Sequence, residues 1–178
     1  GADLVVSGAI HEQRRQQAEY RREQKLRRFD EAADHPGLLA AASGDAACLL
    51  FASHPDGAPL AQFALPADDP TFVVTYVHSV TRTPVAERYR VEGDAIVQTE
   101  IRFAQHGPGL PTQPDTGGTF EQRDGEFVAS MQRRFAVIVM RVHADQSPRF
   151  AAGGRAADLA AWGNRALAVR ATDDACAA

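Results

Sequence analysis

Cysteine is scarce in this sequence, which has only Cys48 and Cys176 among its 178 residues. Two thiols are too few for a disulfide-rich scaffold or a zinc site built from four cysteines. They could form one bridge that ties the end of the chain to its first strand, or they could remain two separate thiols. The sequence leaves both possibilities open.

Long apolar runs and an excess of positive charge are also missing. No apolar stretch reaches the roughly 18 residues that a membrane-spanning helix requires. The formal net charge is −4, which argues against a dedicated nucleic-acid binder. The chain begins Gly1-Ala2-Asp3 without methionine, so we expect that a segment upstream of residue 1 is missing, and a signal peptide or an anchoring helix could have been lost there.

What is present suits a folded domain, since hydrophobic residues make up 44% of the chain. We predict a helix and linker at residues 1–46 and a β domain at residues 47–178. The helix is expected at residues 10–33, which contain no proline and many good helix formers. Its charges are mostly basic, so it is either a solvated helix or one that contacts anionic lipid or an acidic partner.

Polar groups are built into a strongly patterned stretch between Tyr76 and Val91. Apolar residues alternate with a period of two on both sides of residues 81–84, as in strands with one buried face. If these four residues close a hairpin, His78 lies directly opposite Glu87, with Cβ atoms about 5 Å apart. The carboxylate would then favour the imidazolium form of His78. The pair is either a structural cross-strand contact or a small polar site at the mouth of a β core.

A second turn, at residues 92–94, is predicted to lead into a strand at residues 95–103. A three-residue connection would place Thr99 opposite Glu87 and thereby extend the polar spot by one hydroxyl. The same register would place Glu100 on the other face of the sheet. There it would form a surface ion pair, which contributes little stability.

The segment His106-Gly107-Pro108-Gly109-Leu110-Pro111 is a loop punctuated by glycine. Gly107 and Gly109 permit positive φ and can expose backbone N–H groups to an anion. A purely structural turn is the alternative. No dinucleotide or phosphate-loop pattern is present, so we predict no nucleotide site.

The remaining sequence is typical of short strands joined by tight turns. Beyond the central pair, strands are predicted at residues 48–52, 60–65, 119–123, 126–131, 135–142 and 166–170. The nearly continuous apolar run at residues 135–142 predicts a central strand covered on both faces. The fold is therefore predicted to be mainly β: an antiparallel β-sandwich or barrel of about nine strands, preceded by a charged N-terminal helix.

The central residues also carry a resemblance to a known family. The pattern is Tyr76-x-His78-Ser79-Val80-x-x-Thr83-Pro84-Val85-x-Glu87-x-Tyr89-x-Val91, followed by Glu100 and Gly107-x-Gly109-Leu110-Pro111. It resembles the DUF1850 family of uncharacterised bacterial proteins, over roughly residues 48–171. The resemblance implies an exported or membrane-tethered protein that accompanies the permease of TAXI-type TRAP transporters for small organic anions, or is fused to it. It implies no enzymatic activity.

Two kinds of chemistry have weak support in the sequence. A serine hydrolase would need His78 to act as the base for Ser79, but adjacent side chains in a strand point to opposite faces. A divalent-metal site could use His78, Glu87 and His106, although the histidines show no metal-binding spacing. We therefore predict no enzyme and no cofactor, and keep the metal site as an alternative.

The favoured interpretation is a non-enzymatic accessory module of a TRAP transporter system, periplasmic or exported. It would bind a small carboxylate or dock on a permease or binding protein, while the basic helix could contact a membrane surface. The predicted ligand-binding residues are His78, Glu87, Arg82, Thr83, Thr99, Gly107 and Gly109, with Ser79, Tyr89 and Glu100 as weaker candidates. A structural or interaction domain without a ligand site is the remaining alternative.

Overall fold

The computed structural model describes residues 45–172 and Cys176. The helix predicted at residues 10–33 lies outside these residues. Within the described part of the chain, no helix has the length and hydrophobicity needed to cross a membrane.

The described residues form eleven strands and two short 3-10 helices. The strands are β1 Asp45–His54, β2 Pro59–Pro66, β3 Thr71–Val77, β4 Pro84–Glu92, β5 Ala95–Phe103, β6 Phe120–Arg123, β7 Glu126–Phe135, β8 Ile138–Val142, β9 Arg149–Ala152, β10 Arg155–Asp158 and β11 Arg165–Thr172. The 3-10 helices are η1 Ala144–Gln146 and η2 Leu159–Trp162. The predicted strand number was too low, mainly because β9 and β10 have only four residues each.

The strands form two antiparallel sheets that pack as a β-sandwich. The smaller sheet has the order β2-β1-β11-β8, and the larger has the order β10-β9-β3-β4-β5-β7-β6. This architecture confirms the prediction of a mainly β, antiparallel fold. Because the sheets have four and seven strands, the smaller one leaves part of the larger sheet's inward face without a facing strand.

Aromatic side chains fill the space between the two sheets. Phe51 of β1 is 1% exposed, and its ring contacts Phe63 and Phe150 edge-on at centroid distances of 5.3 and 5.2 Å. Trp162 of η2 packs on the same ring at 5.6 Å. Such contacts combine the burial of large apolar area with favourable ring geometry, so this cluster anchors β1 to β9 and η2.

A disulfide joins Cys48 to Cys176, with Cα atoms 5.0 Å apart. It resolves the choice between one bridge and two thiols that the sequence left open. Cys48 lies in β1 and is fully buried. The bridge therefore ties the end of the chain to the smaller sheet, as one of the two predicted arrangements required.

The prediction of a central, doubly covered strand at residues 135–142 was wrong. β8 begins at Ile138 and is the edge strand of the smaller sheet, where it pairs only with β11. Val139 is 54% exposed. The chain passes from β7 in one sheet to β8 in the other within this run. Its apolar side chains face either the core or a cavity, so the run did not require coverage on both faces.

The predicted register of the β3–β4 hairpin was also wrong. Val77 pairs with Pro84 and Val74 with Glu87, so His78 lies beyond the end of β3 and not opposite Glu87. The difference is four residues, an even number, and each side chain therefore keeps its predicted face. Tyr76 and Glu87 still lie on the inward face.

The connection from β4 to β5 is a two-residue turn at Gly93-Asp94, one residue shorter than predicted, because Glu92 pairs with Ala95. A register shift follows between Arg88 and Tyr89. There the Thr99 hydroxyl donates to the carbonyl oxygen of Arg88 at 3.3 Å. The predicted pairing of Thr99 with Glu87 was therefore wrong, since Ile101 occupies that position.

Candidate functional site

A cavity of about 460 Å³ opens on the inward face of the larger sheet. It lies between the aromatic core described above and a second apolar cluster around Phe103, Leu110 and Met131. Residues of β3, β4, β5 and β7 form one wall, and β8 forms the other together with Gln146 at the end of η1 and Pro148 after it. Its volume is within the range of small-molecule sites, roughly 300–1,000 Å³.

Glu87 is the central polar group of the cavity wall. The hydroxyl of Tyr76 donates to Oε1 of Glu87 at 3.0 Å, and the hydroxyl of Tyr89 donates to Oε2. The register explains this arrangement. Val74 directly faces Glu87, so Tyr76 is its diagonal neighbour, and Tyr89 lies two residues further along the same face of β4.

Burial raises the pKa of both tyrosines above the ordinary tyrosine value, and the negative charge of Glu87 raises it further. Both hydroxyls therefore stay protonated and act as donors. Within the described chain, no arginine or histidine forms an ion pair with Glu87. Each carboxylate oxygen accepts one tyrosine hydroxyl and can accept a further hydrogen bond from a molecule in the cavity.

Gln98 lies beside this cluster, and sequence reasoning did not select it. The two-residue turn sets a register that pairs Gln98 with Tyr89 on one side, ahead of the bulge at Thr99, and Arg133 lies opposite Gln98 on the other side. Gln98 is 7% exposed and lines the cavity. Its amide makes no hydrogen bond with another described residue, and no fully buried side-chain nitrogen or oxygen among these residues lacks a partner. The amide is therefore accessible from the cavity, where it offers a donor group and an acceptor to a bound molecule.

Two arginines line the cavity where it meets solvent. Arg133 of β7 donates from Nε to Oδ2 of Asp115 at 2.6 Å, and this hydrogen bond lowers the pKa of Asp115. Arg141 of β8 is exposed and forms no ion pair with a residue in the described ranges. The cavity therefore combines a carboxylate in its wall with positive charge at its opening.

His78 has a structural position at the turn after β3. Its ring is 7% exposed, and Nδ1 accepts the N–H groups of Val80 and Thr81, both at 3.2 Å. Nε2 lies 3.1 Å from the carbonyl oxygen of Pro108. The neutral ring with its proton on Nε2 satisfies all three contacts, so both nitrogens are already occupied.

The glycine loop packs directly on this ring. A Cβ atom at Gly107 would lie 2.7 Å from Cε1 of His78, a distance that real side chains do not tolerate. Glycine is therefore required at this position by close packing and not by a positive φ. The contacts join the β3–β4 turn to the loop after β5, which agrees with the structural alternative for both motifs.

The other predicted site residues are distributed around the molecule. Arg82 is paired with Asp145 at 3.4 Å on the surface, while the hydroxyls of Thr83 and Thr81 lie 2.9 Å apart. Glu100 forms the predicted surface ion pair, with Arg102 at 2.6 Å. Of the predicted ligand-binding residues and weaker candidates, the cavity lining contains Glu87, Gly109 and Tyr89.

The residues of the alternative metal site do not form a ligand set. His106 is exposed and packs its ring on Phe127 at a centroid distance of 4.1 Å. Among residues 45–172 and Cys176, no group of three His, Cys, Asp or Glu side chains could hold a metal ion. The side chains that converge in the cavity are instead a carboxylate, two phenols and an amide.

The fold and the cavity define a class: a two-sheet antiparallel β-sandwich domain with a Tyr–Glu–Tyr cluster in the wall of an internal pocket. Residues 72–159 match the family described as "Domain of unknown function (DUF1850)". Over this region the chain belongs to the DUF1850 family, as its motif predicted. The match begins in β3, ends at the first residue of η2, and includes every polar residue of the cavity lining. No curated protein and no solved structure matches the chain.

Proposed function

We propose that this chain is a non-enzymatic accessory module of a TAXI-type TRAP transporter system, and that it binds a small organic anion in the sandwich cavity. The main support for ligand binding is the position of Gln98, a residue that is only 7% exposed and whose amide faces a cavity of about 460 Å³ without a hydrogen bond to another described residue. The transporter context is supported only by the family resemblance.

The charges around the cavity support an anionic ligand. Arg133 and Arg141 lie at its opening, and the Gln98 amide can donate a hydrogen bond to a carboxylate inside it. Arg133 pairs with Gln98 across β5 and β7, so the amide and the guanidinium belong to one row of the sheet. Neither the loop around Arg82 nor the ring of His78 is needed in this arrangement.

The non-enzymatic part of the proposal is supported by the residues that line the cavity. None of the described lining residues is serine, threonine, cysteine or histidine. The lining groups that could transfer a proton are Glu87 and the two tyrosines, and they are hydrogen-bonded to one another. Ser79 is exposed in the β3–β4 turn, and both ring nitrogens of its neighbour His78 already hold backbone groups. His78 is therefore not free to remove a proton from Ser79.

The disulfide supports a periplasmic or exported location for the domain. Disulfides persist in oxidising compartments and are rare where thioredoxin and glutathione keep thiols reduced. Cys48 and Cys176 are bonded in the structure. Recovery of the bridged form from the periplasm, and of reduced thiols in a cytoplasmic preparation, would support this location.

The direct test is a thermal-shift screen of the protein against small mono- and dicarboxylates, amino acids and divalent metals with and without chelator. A ligand at about 100 times its Kd stabilises the folded state by roughly 2.7 kcal/mol, a shift of several degrees. The variant Gln98→Met, which keeps the volume of the side chain but removes its amide, should reduce the shift. Gln132→Met, on an exposed residue of β7, is the matched control.

A shift that Gln98→Met reduces and Gln132→Met retains supports the proposed site. A metal-dependent shift that chelator removes would favour the metal-binding alternative. Equal shifts in both variants would place the ligand elsewhere. No shift with any compound would contradict ligand binding.

Docking on a transporter component is the second candidate function. Its support is the family resemblance. A single exposed apolar side chain is ordinary on a protein surface, but Val80, in the turn after β3, is 66% exposed and gives a position at which docking can be tested. Co-purification with the permease or the binding protein tests this role. It should be lost in Val80→Asp and unaffected in Gln98→Met.

A further inference from the structure

The carboxylate of Glu87 has no cationic partner in the described part of the chain. Its two oxygens accept the hydroxyls of Tyr76 and Tyr89, and the carboxylate lines the cavity. Taking a carboxylate partly out of water is unfavourable unless hydrogen bonds or an opposite charge compensate. Two neutral donors supply part of that compensation and hold the carboxylate in a fixed position.

A simple anion fits this wall poorly. A ligand carboxylate beside Glu87 would experience like-charge repulsion in a partly desolvated site. An ammonium group would instead form charge-assisted hydrogen bonds with oxygens that are already oriented. The wall around Glu87 therefore favours a group that donates hydrogen bonds, and a charged donor above a neutral one.

One strand away from Glu87, the cavity wall favours a carboxylate group of the ligand and not an ammonium group. Gln98 lies on β5, adjacent to β4, and Arg133 follows on β7, with neighbouring strands about 4.8 Å apart. The Gln98 amide can donate to a carboxylate, and so can the terminal nitrogens of Arg133, since Asp115 accepts from Nε. The sheet thus presents an acceptor on β4 and donors on β5 and β7. A small molecule with an amine and a carboxylate matches that order.

We infer that the ligand of this cavity is an amino acid or a similarly small zwitterion, with its ammonium group on Glu87 and its carboxylate toward Gln98 and Arg133. This inference rests on the proposed function, because it specifies the ligand class of the same cavity. It replaces the plain organic anion by one that also carries an amine.

The test compares ligands that differ only in the group presented to Glu87. Alanine, lactate and pyruvate share a three-carbon carboxylate and differ at the carbon next to it. That carbon carries an amine in alanine, a hydroxyl in lactate and a ketone in pyruvate. Isothermal titration calorimetry should rank their affinities alanine, then lactate, then pyruvate, with more than about a tenfold difference between the first and the last. Aspartate against malate repeats the comparison for a larger ligand.

Variants of the carboxylate complete the test. Glu87→Gln should remove the preference for the amine, because the side chain loses its charge but keeps its size. Glu87→Asp should retain the preference. Glu100→Gln, on the outer face of the same sheet, should bind as the unaltered protein does. Thermal melts of each variant confirm that it is folded before binding is measured.

Two outcomes would overturn the inference. If pyruvate or malate binds as tightly as its amine counterpart, the cavity is a plain carboxylate site, so the ligand class is wrong and the proposed function stands. If none of these compounds binds but another carboxylate of the thermal-shift screen does, only the inference is contradicted, whereas silence across the whole screen contradicts both. An amine preference that persists in Glu87→Gln would also overturn the assignment, because another group would then recognise the ammonium.

Discussion

The inward face of the larger sheet contains two regions with different chemistry on the same strands. Where the smaller sheet covers it, β3 and β4 contribute Phe72 and Val91 to a dry aromatic core. Where the cover ends, the same two strands present Tyr76 and Glu87 to a cavity. One strand face can thus serve packing at one end and recognition at the other, and the position of the opposing sheet decides which.

The largest loss of stability should come from a substitution in the part of the larger sheet that the smaller sheet covers. Phe51→Ala removes a fully buried ring that contacts three aromatic partners. We expect the free energy of unfolding to fall by about 3–5 kcal/mol in chemical denaturation. Val80→Ala, at an exposed position, should change it by less than about 0.5 kcal/mol. Similar losses in the two variants would contradict the assignment of the core.

Loss of the disulfide should cause the second largest fall in the free energy of unfolding, and it should leave the cavity unaffected. Cys48→Ala with Cys176→Ala removes a bridge between residues separated by 128 positions, and we expect a loss of about 2–4 kcal/mol. Ligand affinity should stay unchanged at temperatures where the variant is folded, because neither cysteine lines the cavity. A large loss of affinity would show that the two regions are coupled.

Glu87→Gln should lower the free energy of unfolding by about 1–2 kcal/mol, which is less than either of the changes above. An amide retains one oxygen as an acceptor for a tyrosine hydroxyl, and water in the cavity can reach the other hydroxyl. Equilibrium unfolding in urea measures the difference. Glu100→Gln, which removes only a surface ion pair, should cost less than about 1 kcal/mol. If the order of the two variants is reversed, Glu87 is not the fixed centre of the polar cluster.

The smallest expected effect is a fall in the free energy of unfolding at alkaline pH. The pKa of Tyr76 and Tyr89 is raised above the ordinary value of 10.0, so the folded protein keeps protons that the unfolded chain releases. Stability from this source is complete below that ordinary pKa and falls as the pH rises above it. Between about pH 8 and pH 10, each tyrosine should account for a loss of about 0.4 kcal/mol.

The double variant Tyr76→Phe with Tyr89→Phe is the control for this pH dependence. Its unfolding free energy should fall less than that of the unaltered protein over the same interval, when both are measured by denaturant titration. Equal pH dependence would mean that the two tyrosines titrate normally in the folded state.

The faces of the strands could be predicted from the sequence, whereas the registers could not. Alternation correctly placed Tyr76, Glu87 and Tyr89 on one face, because a register change of an even number of residues preserves it. The turn after β3 depends on hydrogen bonds from two backbone N–H groups to His78, and no short-range pattern indicates such a contact. His78 attracted attention as a polar residue in an apolar alternation, but its role is to hold that turn.

Gln98 was missed for a related reason. The predicted three-residue turn would have directed it away from Tyr89, and the observed two-residue turn pairs the two residues. A difference of one residue in turn length leaves little trace in a single sequence. The run at residues 135–142 was misassigned because hydrophobicity does not distinguish a strand covered on both faces from an edge strand beside an apolar cavity.

The most direct test of the central claim is an amide-resolved NMR titration with the amino acid that gives the largest thermal shift. We expect chemical-shift changes concentrated at the cavity lining, on β4 around Glu87, on β5 around Gln98 and along Ile138–Val142 of β8. The outer face around Glu100 should stay unchanged. Changes confined to the β3–β4 turn and the glycine loop, with the cavity lining silent, would contradict the account.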